Sequence, residues 1–206
     1  MNEEIKYRLF GLEGIVYRLH QNLGLVEYIT YGLHREPFNL SNNFGLYWTC
    51  GRIVDYLIID FYKVIAPAER FSFAKITNIS RDLRIKVNYA LIEEKTKKLR
   101  TKYDGTDFET VRSKYLAHQD LRVPQMRGDI RTIRSLTEDI LKLFKTFSKE
   151  FGSKRPKFSN EVADSFGEIF TTIDEYERVK GFLLWAKIEG HDTVKISKLA
   201  KIMNNK

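Results

Sequence analysis

Residues 44–65 can form one helix that stops ahead of Pro67, and its later half is apolar on nearly every side, through Ile53, Val54, Leu57, Ile58, Ile59, Phe61 and Ile65. A helix without a solvent face is stable only where other elements surround it, at the centre of a bundle. Asp60 interrupts the apolar run around Tyr56–Tyr62, so this helix belongs to a protein core and not to a bilayer. Arg52 and Asp55 lie one turn apart and can pair.

The rest of the chain supplies the surrounding helices. Four prolines and twelve glycines in 206 residues leave long uninterrupted stretches, and apolar residues recur within them at helical spacing. Residues 3–31 carry a stripe of Leu9, Leu12, Ile15, Val16, Leu19 and Leu23. Ser41-Asn42-Asn43 offers a cap for the central helix. A third helical region is expected over about 72–102, on the spacing of Ile76, Ile79, Leu83, Val87 and Leu91. Asp104-Gly105 signals a turn, and a short helix from Phe108 to Leu116 follows. The clearest helix starts at Asp129 as cap and aligns Ile130, Ile133, Leu136, Ile140, Leu143, Phe144, Phe147 and Phe151 on one face.

Gly152-Ser153-Lys154-Arg155-Pro156 reads as a linker. Beyond it, Glu161–Ile188 has the pattern of another helix, and 193–203 that of a short basic one. The expected fold is therefore all-α: a helical bundle over 1–151 and a C-terminal helical extension over 152–206.

The formal net charge is +8, from 35 Lys and Arg against 27 Asp and Glu. That balance favours a polyanionic partner, most simply nucleic acid. Cys50 is the single cysteine, so an internal disulfide is impossible and a zinc site is not expected. Met1-Asn2-Glu3-Glu4 is acidic and leads into no apolar segment, so no secretory signal is expected. The expectation is a cytoplasmic protein with no membrane segment, no metal and no cofactor.

One stretch carries chemistry. Arg112-Ser113-Lys114-Tyr115-Leu116-Ala117-His118-Gln119-Asp120 lies between two amphipathic helices, and Val123-Pro124 just downstream keeps it at a helix edge. Histidine exchanges a proton near neutral pH. Arginine supplies a permanent charge and a forked donor set that matches phosphate. An Arg shortly before a His is common in a chain this rich in Arg, and the pair can equally be structural, His118 capping a helix and Arg112 pairing with an acid. The neighbourhood is what distinguishes it.

Arg112, five intervening residues and His118, with Ala117-His118-Gln119-Asp120 at the end, resemble the motif of the HEPN superfamily, and within it the abortive-infection type U group. The likeness covers roughly residues 1–151. It departs at Ser113, where active members carry Asn, Asp or His directly after the Arg. The resemblance implies a metal-independent endoribonuclease of phage defence or a toxin–antitoxin system, with an antitoxin protein as a further partner. It also implies a homodimer whose two motifs face each other.

The chemistry is consistent with those residue types. RNA brings its own nucleophile, the 2′-OH beside the scissile phosphate. Neutral His118 can remove its proton, and Arg112 can hold the non-bridging oxygens as charge builds. Lys114 can add a phosphate contact and Ser113 stands beside it. Asp120 either orients the imidazole or caps the following helix. The basic run Lys95, Lys97, Lys98, Arg100 and Lys102 can track an RNA backbone or simply solvate a helix end. Two other readings compete with the nuclease: a catalytically silent HEPN-like domain that binds RNA or nucleotide, and a helical protein-interaction module.

Overall fold

A computed structural model describes residues 2–31, 44–113, 129–153 and 158, and among them there are helices and no strands. In chain order the helices are α1 (Glu3–Tyr31), α2 (Phe44–Ile65), α3 (Phe73–Asp82), α4 (Tyr89–Asp104), α5 (Phe108–Val111) and α6 (Ile130–Glu150). All described residues fall in one compact unit, Met1–Ala163, and the second unit, from Asp164, lies outside them. The two expected C-terminal helices, the Ser41-Asn42-Asn43 cap and the linker residues 154–156 also lie outside the described residues. No described helix is long and apolar enough to cross a membrane.

The stripes of α1 and α6 face the core, as their spacing dictates. Leu9, Leu12, Ile15, Val16, Leu19 and Leu23 of α1 are all buried, as are Ile133, Leu136, Ile140, Leu143, Phe144, Phe147 and Phe151 of the 130–151 stripe, whose first residue, Ile130, is half-buried. α1 packs against both α2 and α6, and α4 closes on α6. In α2, Ile53, Val54, Leu57, Ile58, Phe61, Val64 and Ile65 are buried, but Ile59 is only half-buried and Arg52 and Tyr56 are exposed, so the helix keeps a solvent face that its apolar run did not suggest. Aromatic rings join the layers: Phe73 meets Phe147 edge-on at 4.9 Å, and Phe61 stacks on Phe108 at 5.9 Å. Phe158 lies against Tyr17, His20 and Phe144, so packing on the bundle continues past residue 151.

Asp60 is the buried polar residue of α2. Its carboxylate accepts from Arg18 Nε and Nη2 of α1 at 3.1 and 3.3 Å, and from Lys63 Nζ at 3.0 Å. A nearly buried charge is tolerable here because both partners reach it from the surface.

The structure corrects one expectation. The region expected as one helix over 72–102 is two, because α3 ends in a left-handed turn. Arg84 has φ 53°, its N–H bonds the Arg81 carbonyl at 2.9 Å, and the Ile85 N–H reaches back to Ser80 at 2.9 Å. Those two bonds form a Schellman cap. Leu83, expected in the apolar stripe, is exposed. Asn88 then starts α4, its side chain accepting from the Leu91 N–H at 3.1 Å. The same cap closes α6, where Ser153 N–H bonds Ser148 and Gly152 takes φ 66°.

Candidate functional site

The site begins with how α5 is held. This helix is one turn long, too short to be stable alone. Phe108 and Val111 are buried, and Phe108 lies between Phe61 of α2 and Tyr103 of α4. Those two anchors fix the next residue, Arg112. Arg112 itself has α-helical dihedrals, φ −58° and ψ −51°, and its N–H reaches the Phe108 and Glu109 carbonyls, so it continues the turn of α5.

The Arg112 guanidinium carbon sits 3.7 Å from the centroid of the Tyr62 ring, and its Nη2 donates to Glu109 Oε1 at 3.2 Å. An arginine held this way keeps its charge while losing rotamer freedom. The side chain remains 28% exposed. Around it three buried polar atoms have no hydrogen-bond partner among the described residues: Arg112 Nε, Glu109 Oε2 and Tyr103 Oη. Burial, and after it the Glu109 carboxylate, push the Tyr103 phenol far above its ordinary range, so it is a neutral donor at any working pH. Ser113 Oγ donates to the Thr110 carbonyl at 3.3 Å.

His118, Lys114 and Asp120 lie outside the described residues. The geometry therefore fixes the arginine half of the motif. Glu109, Tyr62 and Tyr103 are the residues that sequence reasoning missed. Glu109 had a signal, an acid one helical turn before Arg112. Tyr62 and Tyr103 had none, since packing alone brings them in.

The basic run on α4 divides around the helix. Lys95 donates to Thr146 Oγ1 at 3.1 Å, while Lys102 donates to Ser135 Oγ at 2.6 Å and pairs with Asp139. These two lysines, seven residues apart, tie α4 to α6. Lys98 pairs with Glu94 at 2.6 Å and draws that carboxyl below its usual range. Arg100 pairs with Asp104 at 2.8 Å and lies over the Tyr103 ring at 5.7 Å. Lys97 is exposed and has no partner among the described residues. Lys97 and Arg100 lie on the α2–α3 side of α4, away from the α6 contacts.

Among the described residues no cluster of three or more His, Cys, Asp or Glu could hold a metal ion. Burial raises the pKa of the Cys50 thiol, against the pull of a hydrogen bond with Thr30. No family model, curated protein or solved structure matches this chain.

Proposed function

We propose that this chain is a metal-independent endoribonuclease of the HEPN type. The observation that supports the reading is the state of Arg112: a guanidinium fixed on Tyr62, held by Glu109 and still partly exposed, at the start of the segment that carries His118. A fixed cation beside a titratable imidazole is what transesterification of RNA requires. The 2′-OH attacks the adjacent phosphorus, His118 takes the hydroxyl proton, and Arg112 meets the growing negative charge on the phosphorane. Because Arg112 is oriented before substrate arrives, little reorganisation remains for the transition state.

In this proposal Lys114 contacts a neighbouring phosphate, and Asp120 orients the imidazole or caps the next helix. One motif offers a base and a charge donor but no second acid for the leaving 5′-oxygen. A homodimer related by a two-fold axis supplies it as the partner's His118. In this proposal the protein acts on RNA in the cytoplasm, in phage defence or as a toxin restrained by an antitoxin protein.

The Glu109 contact favours a second reading. An arginine already engaged by an acid and a ring serves equally as a structural clasp in a silent RNA-binding domain, and Ser113 after the motif Arg agrees with that. Cleavage assays with single variants separate the two. Arg112→Ala is expected to lower the rate by about 10²–10³-fold, the usual cost of one transition-state donor, and His118→Ala to abolish it. Equal cutting by wild type and His118→Ala overturns the nuclease reading.

A further inference from the structure

A cavity of about 250 Å³ opens between the C-terminal end of α2, α3 and α4. Buried Ile65 forms its floor beside half-buried Ala74, and exposed Pro67, Asn78 and Lys97 stand at its rim with Arg100. The size is below the roughly 300–1,000 Å³ of sites for drug-sized ligands and is suited to one ring system. Glu93 also reaches the rim and is paired with Arg81, and Arg100 is paired with Asp104, so unpaired Lys97 is what leaves the rim positive. Asn78, like Lys97, has no hydrogen-bond partner among the described residues. A primary amide offers a donor and an acceptor side by side, the pattern that reads base edges.

Two helices, α2 and α4, line the cavity and also carry the aromatic residues next to Arg112. On α2, Ile65 in its floor is three residues after Tyr62, which supports Arg112. On α4, Arg100 at its rim is three residues before Tyr103, over whose ring it lies and whose phenol senses the charges of Glu109 and Arg112. Each step is close to one helical turn, about 5.4 Å. Lys97 and Arg100 stand close to one turn apart on α4, and the charges of Arg100 and Arg112 both act on Tyr103.

We propose that this cavity is a nucleotide subsite for single-stranded RNA. A base lies on Ile65, Pro67 and Ala74 with its edge at Asn78, and Lys97 and Arg100 hold the phosphate leading toward Arg112. The identity of the ligand rests on the ribonuclease reading; the cavity's chemistry does not. The occupant follows from charge and shape together: an apolar surface for a flat ring, an amide for its edge, and unpaired Lys97 with Arg100 one turn on for its phosphate.

The test uses the full chain and a fluorescein-labelled, 2′-O-methylated ten-nucleotide RNA, which cannot undergo 2′-OH attack. Anisotropy gives Kd across a salt series in EDTA. Lys97→Ala is expected to weaken binding and reduce the slope of log K against log salt by about 0.7, one phosphate contact on a single strand. Ala74→Leu, which fills the slot, and Asn78→Ala are expected to weaken binding several-fold with the slope unchanged. Lys145→Ala, an exposed charge on α6, controls for net charge. Circular dichroism confirms that each variant is folded, and exposed Lys97 and Asn78 keep the test valid if Ala74→Leu is not. Unchanged affinity in both Lys97→Ala and Asn78→Ala overturns the subsite, as does a slope change equal to that of Lys145→Ala. Cleavage of unmethylated RNA is scored separately. Binding with this signature but no cleavage keeps the subsite and removes the nuclease; cleavage with unaltered binding in the variants does the reverse.

Discussion

Removing the Tyr103 hydroxyl should stabilise the protein. The side chain is fully buried, and its Oη has no hydrogen-bond partner among the described residues. An unpaired buried hydroxyl costs about 1–3 kcal/mol relative to water. Tyr103→Phe keeps the ring against Phe108 and beneath Arg100 and gives up only the small contact surface of one oxygen. The net gain is about 1–2 kcal/mol, which for a chain of this size raises Tm by roughly 2–8 °C. The pH dependence adds a second signature. The folded-state phenol has its pKa raised above the ordinary 10.0, so above pH 10 the unfolded chain releases a proton that the folded chain keeps. Stability of the wild type therefore falls there through this group, while Tyr103→Phe lacks that loss, and the gap between them widens. Urea unfolding at pH 7 and pH 10.5 measures both effects. A loss of 1 kcal/mol or more in Tyr103→Phe would refute the reasoning, because it would mean that the hydroxyl is satisfied. Cleavage by this variant reports whether the orphaned hydroxyl serves Arg112: stability that rises while activity falls is the mark of a group kept for function.

The other stability predictions use the same unfolding assay. Gly14→Ala meets no atom within 4 Å and should gain about 0.5–1 kcal/mol of helix propensity, whereas a Cβ at Gly11 would come 2.4 Å from the Phe71 ring, so Gly11→Ala should lose roughly 1 kcal/mol net of that gain. Arg84→Gly relieves a left-handed residue in a Schellman cap and should stabilise by about 1 kcal/mol, while Gly152→Ala, at the equivalent position of α6, should cost a similar amount; equal responses at the two sites would contradict the cap assignment. Asp60→Ala removes the bond to Arg18 and Lys63. Those cations are 53% and 42% exposed and regain water, so the expected cost is about 1–2 kcal/mol, below the 3–5 of a fully buried pair; no measurable change would place the carboxylate in solvent.

The bundle was legible where apolar spacing and chain ends agree. α1 buries the stripe that its sequence presents and α6 all of its own except half-buried Ile130, and Asp129 caps α6 by accepting from the Arg131 N–H at 3.1 Å. The break after α3 was hidden because Ile79, Leu83, Val87 and Leu91 continue a helical period through it. The capping side chain of Asn88 was the available signal, but a left-handed Arg84 has no signature in sequence. Arg112 was legible as a charge beside a histidine. What holds it was not, since Tyr62 lies fifty residues earlier and meets Arg112 only because Phe108 packs on Phe61. The lysines of 95–102 look like one patch in sequence. A helix distributes them, and the partners on α6 that engage Lys95 and Lys102 are set by tertiary packing.

The chemistry of the RNA ends tests the central proposal most directly. In that proposal His118 moves the proton and Arg112 holds the phosphorane, and attack by the 2′-OH leaves a 2′,3′-cyclic phosphate on one fragment and a 5′-OH on the other. Purified protein incubated with RNA in EDTA is expected to give those ends and to leave DNA and 2′-O-methylated RNA intact. Products with 5′-phosphate ends, or cutting that needs added magnesium, would contradict it.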